Sequence, residues 1–332
     1  MTQKIIIDCD PGVDDAVAIL MALTSPEVEV LGVTTNVGNV SLYKTQLNAR
    51  RVCEVAGRLD MKVFAGCPRS LFNRFAPESV EDTAYTAADI HGESGLGGSK
   101  LPAPTMPLQD EHAVNFIIRT LENSTGDIIM VCTGALTNMA TALIMSPQIA
   151  AKIQKIVLMG GAIGLGNITP AAEYNFYCDP EAAHVVFTSK IPIVMFGLDV
   201  TRQTEFDKKW VDEIEALNSP VAQALVDILS DAFKPGAYAE PGTKGTGKVL
   251  HDVNCIAYLI NPSLYEGRNV YVEIDTSDTI NSGRSTVDWW NKIGKEPNAL
   301  VMNKVKHEAF FALLTERISR YPKFQKSANG TL

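Results

Sequence analysis

The sequence predicts an α/β fold, a doubly wound and mostly parallel sheet of Rossmann-like type with a small antiparallel extension. Near-continuous Ile/Val/Met runs such as KIIIDCD, DIIMVCTG and KIVLMGG mark strands that helices cover on both faces. Helical segments separate these runs for most of the chain, and βα repetition implies right-handed crossovers. Polar and glycine residues crowd the carboxyl ends of the runs, where open parallel sheets bind their ligands.

Taken in order, a buried strand at residues 4–10 turns through Pro11 and Gly12 into a helix at 14–24, which Asp14 and Asp15 open. A strand at 28–36 leads to a helix at 41–56 that stops at Gly57. A short strand at 62–66 precedes an irregular stretch that reaches residue 109. A helix at 111–122, a strand at 127–134 and a helix at 136–145 come next. The strand at 155–161, the helix at 180–188 and the strand at 192–197 complete the alternation. Asp179 followed by Pro180 is an N-cap and first-turn pair, a structural signal.

Past residue 205 the order changes to helices and then three alternating runs, NVYVEID, GRSTVDWW and NALVMNKV. Their spacing predicts the small antiparallel extension, closed by a helix at 307–320. No low-complexity linker interrupts the chain, so residues 1–332 read as a single domain. Two stretches, 73–107 and 234–248, lack periodicity. The second, KPGAYAEPGTKGTGK, is either a mobile lid or a plain surface loop.

Composition narrows the function. Of 332 residues, 29 are Lys or Arg and 38 are Asp or Glu, a net charge of −9 that argues against nucleic acid as partner. The early apolar run AVAILMAL is eight residues long, far short of the roughly 20 that span a bilayer. Six scattered cysteines with no CxxC pair read as reduced core residues, which points to a cytoplasmic protein.

The run DCDPGVDD carries the sharpest chemistry. Asp8 and Asp10 are two apart on a strand and so share a face. Four carboxylates within eight residues conflict, since unit charges 4 Å apart repel by about 4 kcal/mol at an effective dielectric near 20. A helix N-terminus returns only about 0.3–1 kcal/mol for each. A bound cation resolves the conflict, and an all-oxygen set suits Ca²⁺ or Mg²⁺; the alternative is a solvated acidic loop. Among the histidines, His251 in HDVN follows the second aperiodic stretch, and His91 lies in the glycine-rich HGESGLGG. His184 is expected on the apolar face of its helix. Asn167, Glu173 and Asn175 lie in a segment without periodicity and suit a hydroxylated ligand.

Together, DCDPGVDDAVAI, TNVGNV, HGESGLGG, CTGALTNMA, LMGG, EYNFYCDPEAAH and HDVNCIAYLINP resemble the inosine–uridine-preferring nucleoside hydrolase family, over nearly the whole chain. The resemblance implies a calcium ion held by Asp10, Asp15, the carbonyl of Thr133 and Asp252. It implies ribose contacts from Asp14, Asn39, the backbone of Met159, Asn167, Glu173, Asn175 and Asp252. A calcium-bound water deprotonated by Asp10 would attack the anomeric carbon, and His251 would protonate the leaving base. The partners implied are a ribonucleoside and further copies of the chain, as a tetramer or dimer. Base preference depends on the aperiodic loops, where Tyr238 is expected to fold over the base. Two other readings compete: a haloacid-dehalogenase-type phosphatase, which wants Thr, Val or Gly where Pro11 stands, and a calcium-assisted nucleoside-binding protein.

Overall fold

The computed structural model describes residues 2–72, 87–245 and 248–324. The aperiodic expectations for 73–86 and 246–247 lie outside the described residues. Eight strands form the main sheet: β1 (Gln3–Cys9), β2 (Val28–Thr35), β3 (Val63–Ala65), β4 (Ile128–Cys132), β5 (Ile153–Met159), β6 (Ile193–Phe196), β7 (Tyr265–Val270) and β10 (Ala299–Val305). Their order is β3-β2-β1-β4-β5-β6-β10-β7, parallel except where β7 pairs antiparallel with β10. β8 (Val272–Ile274) and β9 (Ser285–Val287) make a separate antiparallel pair.

Alternating side chains of β1 enter different layers. Ile5, Ile7 and Cys9 join one apolar core, and Ile6 joins the other. The first core holds α1 (Val13–Leu23), α2 (Leu42–Val55), α9 (Lys208–Glu215), α10 (Pro220–Leu229), α11 (Val253–Ile260) and α12 (His307–Ser319). The second takes α4 (Ala113–Glu122), α5 (Thr137–Met145) and α7 (Pro180–Thr188). Short helical turns remain at α3 (Ala88–His91), α6 (Tyr174–Cys178) and α8 (Leu198–Thr201). Among the described residues no helix is long and apolar enough to cross a membrane.

The expected antiparallel extension is smaller than its three runs suggest. NALVMNKV is β10, a main-sheet strand parallel to β6, because Ala299, Val301 and Met302 are buried against the core. NVYVEID takes in the end of β7 and the whole of β8, so it serves two sheets. β7 itself was not predicted as a whole strand. Its middle residues are exposed, as suits an edge, and EGRN carries no apolar signal. His184 is exposed on α7 instead of joining its apolar face, which Ala183, Val186 and Phe187 form.

Strand order runs outward in opposite directions from β1 and β4. The crevice beyond their carboxyl ends is therefore the switch point at which such sheets bind ligands. The DPGVDD segment leaves β1 at that point, and Thr133 follows β4.

Candidate active site

Asp10 lies one residue past β1, so strand alternation does not extend to it. Asp8, still on the strand, accepts from the Thr34 hydroxyl at 2.6 Å and from Asn138 Nδ2 at 2.8 Å. Those bonds make Asp8 a brace between β1, β2 and α5, and burial raises its pKa to about 6. Asp15 reaches back across the first turn of α1 to accept from the Gly12 N–H at 3.0 Å. Its other oxygen accepts from the Thr133 hydroxyl at 2.7 Å. Asp252 arrives from the far end of the sequence at the start of α11, which packs on α1.

Ligand oxygens of Asp14, Asp15 and Asp252 all lie within 4.8 Å of one another, and all three residues are buried. Asp10 stands across Asn39, whose backbone N–H donates to Asp10 Oδ2 at 2.6 Å. The Asn39 side chain donates to the Asp10 carbonyl at 3.1 Å and to Asp15 Oδ2 at 3.2 Å. Asp10 Oδ1 is buried without a hydrogen-bond partner. Burial, reinforced by neighbouring carboxylates, pushes the Asp10 and Asp252 carboxyls well above their usual range and Asp14 to about 7. Buried acids collected this way need a cation to stay ionised. The orphaned oxygen and the all-oxygen donor set fit calcium.

The second wall forms around α6, a single turn that lacked periodicity in the sequence. Glu173 caps it, accepting from Asn175 N–H at 2.8 Å, Phe176 N–H at 3.2 Å and Gly161 N–H at 2.8 Å. Burial lifts Glu173 to about 7 despite those three donors. Asn175 Nδ2 donates to the carbonyls of Thr133 (2.8 Å) and Met159 (3.2 Å), tying α6 to the ends of β4 and β5. Asn167 Oδ1 accepts from the Tyr174 N–H at 3.0 Å.

One cavity collects these residues. Asp14, Asn39, Thr133, Met159, Asn167, Glu173, Asn175, His251 and Asp252 all line it, while Asp10 and Asp15 lie behind its surface. His251 Nδ1 sits 2.8 Å from the Thr201 hydroxyl, and the His251 backbone N–H donates to Asp14 Oδ2 at 3.2 Å. Burial and the nearby Arg202 charge lower its pKa to about 3, so the imidazole is neutral. His91 also reaches the cavity, accepting the Val13 N–H at 3.0 Å. Tyr238 lines it as well. Sequence reasoning missed Glu240 and Lys248, which share that lining. Each had one signal: a charge inside the second aperiodic loop, next to Tyr238 or to HDVN.

A doubly wound sheet with buried carboxylates at its switch point, facing a cavity lined by amides and acids, is suited to hold a metal ion beside a small hydroxylated ligand. The model of the inosine-uridine preferring nucleoside hydrolases matches residues 5–312, and the chain belongs to that family of ribonucleoside hydrolases, which is calcium-dependent. It is 40% identical over 321 residues to the pyrimidine-specific ribonucleoside hydrolase RihB of Escherichia coli, covering 97% of this chain and 98% of that one. A solved plant nucleoside hydrolase superposes with a TM-score of 0.87 at 32% identity, covering 96% of this chain and 99% of that chain. The purine-preferring ribonucleoside hydrolase of Gardnerella vaginalis gives 0.85 at 33% identity, covering 96% and 98%.

Proposed function

We propose that the chain cleaves the N-glycosidic bond of ribonucleosides with water, releasing ribose and a free purine or pyrimidine base. The observation that carries this reading is the meeting of the buried Asp14, Asp15 and Asp252 carboxylates with a cavity walled by Asn39, Asn167, Glu173 and Asn175. Amides and carboxylates in that density suit a ribose, whose hydroxyls both donate and accept.

Asp10, Asp15, Asp252 and the Thr133 carbonyl would hold calcium. When bound, the ion offsets the carboxylate charge and makes water at the site more acidic. Asp10 then serves as general base, its Oδ1 accepting no hydrogen bond from the protein while Oδ2 accepts the Asn39 N–H. Asp14, Asn39, the Met159 carbonyl, Asn167, Glu173, Asn175 and Asp252 grip the ribose. The carboxylates among them stabilise the positive charge that grows on the sugar as the base departs.

His251 supplies the proton for the leaving base. Its Nδ1 lies 2.8 Å from the Thr201 hydroxyl, which holds the ring at the cavity, and a solvent proton taken up transiently by the imidazole passes on to the leaving base. The ring is neutral again once the base has left. Water's proton ends on Asp10 and its hydroxyl on the anomeric carbon, so the step balances.

The test is ribose release from inosine, uridine, cytidine and adenosine, with and without a strong calcium chelator. Reducing sugar that appears without added phosphate and vanishes on chelation is the expected result. No ribose from any of the four with calcium-replete protein would overturn the reading.

A further inference from the structure

Three side chains of one short segment, α8 and the residue after it, hold parts of the cavity's surroundings in place. Asp199 accepts from the backbone N–H of Ile163 at 2.5 Å, at the start of the loop that carries Asn167. Thr201 meets His251. Arg202 does more than either neighbour. Its Nη1 donates to the Leu165 carbonyl at 3.0 Å and its Nη2 to the Gly166 carbonyl at 2.9 Å, both in that same loop. Its Nε donates to Glu240 Oε1 at 3.0 Å, and Nη2 lies 2.9 Å from the same oxygen.

Glu240 belongs to the other loop, the 234–248 stretch that brings Tyr238 to the cavity. The Arg202 and Glu240 side chains are only 13% and 6% exposed, so solvent screens their attraction little. Glu240 Oε2 accepts from the Tyr238 hydroxyl at 3.2 Å. Both oxygens of Glu240 are therefore engaged within the protein, which assigns it to holding Tyr238 in place more than to reading a base. The planar fork spreads these contacts over three nitrogens, which a lysine would have to make from one.

We propose that Arg202 is a positioning residue that fastens the Asn167 loop and the Tyr238 loop into one closed wall, so that ribose and base are gripped together. This rests on the reading of the cavity as a nucleoside site. It makes the two halves of the grip separable by mutation. Glu240→Gln releases the Tyr238 loop alone, whereas Arg202→Gln releases both loops.

The experiment compares wild type, Glu240→Gln and Arg202→Gln by steady-state kinetics on uridine and inosine, by inhibition with free ribose, and by trypsin cleavage after the exposed Lys244. Thermal melts confirm that each variant is folded. Both variants should raise KM at least about tenfold while kcat stays within roughly threefold, the signature of lost uniform binding. Ribose inhibition should weaken only in Arg202→Gln, and trypsin should cut faster in both. A purely structural arginine would lower the melting temperature and leave the KM-to-kcat split and the ribose constant unmoved. Glu240→Gln with wild-type KM and wild-type cleavage would overturn the proposal, whether or not Arg202→Gln folds. Should no nucleoside be hydrolysed even by wild type, the functional reading fails. The trypsin arm still decides whether Arg202 and Glu240 hold the loop.

Discussion

Two glycines enclose the Asp10 carboxylate, and filling one of them tests the assignment of that carboxylate as base without touching its chemistry. A Cβ at Gly38 would lie 1.9 Å from Asp10 Oδ2 and 2.7 Å from its Cγ. On the other side, a Cβ at Gly134 would lie 2.6 Å from Asp10 Oδ1. Gly38 does not have the positive φ that would exclude alanine on backbone grounds, so Gly38→Ala acts by contact alone. Separations under 3.0 Å are not tolerated by real side chains, so the carboxylate must move by at least 3.0 − 1.9 = 1.1 Å. That movement also stretches the 2.6 Å bond from the Asn39 N–H.

A misplacement of about 1 Å in a catalytic group costs on the order of 10²-fold, and complete loss of a general base costs roughly 10²–10⁴-fold. Gly38→Ala should therefore lose about 10²–10⁴-fold in kcat/KM, measured as ribose release, with a cooperative thermal transition retained. Gly57→Ala is the matched control. It has nothing within 4 Å but a φ of 72°, so it strains the backbone far from the site. It should cost about 1–2 kcal/mol of stability and leave kcat/KM unchanged. A folded Gly38→Ala enzyme within about threefold of wild type would show that the Asp10 position does not limit the reaction.

Two further outcomes follow from the same geometry. Thr201→Val removes the hydroxyl at His251 Nδ1. Loss of one such bond, worth about 0.5–1.5 kcal/mol, should lower kcat roughly 3- to 10-fold with little change in KM. On a riboside whose leaving group needs no proton, Thr201→Val should match wild type; an equal loss there would separate His251 from leaving-group chemistry. Glu173 provides a pH signature. Its folded pKa of about 7 lies above its ordinary 4.5, so folding favours the protonated form. Its stabilising contribution is full below pH 4.5 and is lost as pH rises through 7. The melting temperature of Glu173→Gln relative to wild type should accordingly rise between pH 5 and pH 8, and a flat difference would remove burial as the cause.

Strands that helices cover on both faces were legible because burial on two sides demands unbroken Ile/Val/Met runs, and β1, β4 and β5 all show them. The acidic turn was legible for a different reason: four like charges in one segment need a physical explanation wherever they fold. β7 stayed hidden because an edge strand with a polar middle carries no burial signal. α6 did too, since one turn is too short for periodicity and its stability comes from the Glu173 cap. Arg202 was invisible because its partners lie 36–38 residues away in loops whose path no pattern fixes. Asp8 misled for a local reason. β1 ends at Cys9, so the alternation that seemed to pair Asp8 with Asp10 stops one residue early.

The two kinds of residue divide the work. The site's carboxylates and amides hang from strand ends and helix starts: Asp10 after β1, Asp14 and Asp15 on α1, Thr133 after β4, Glu173 and Asn175 at α6, Asp252 before α11. Their positions follow from the sheet, and the sheet is shared with a relative described as purine-preferring. A relative described as pyrimidine-specific aligns over 97% of this chain. The shared fold accompanies relatives of different described preference, so the fold by itself does not set a base. Other side chains in the lining are not placed by the sheet: Tyr238 and Lys248, together with His91 on its single helical turn. Such loops keep a fixed shape only if something rigid holds them. In this chain α8 does so, directly after β6, where Asp199, Thr201 and Arg202 carry the order of the sheet into the loops.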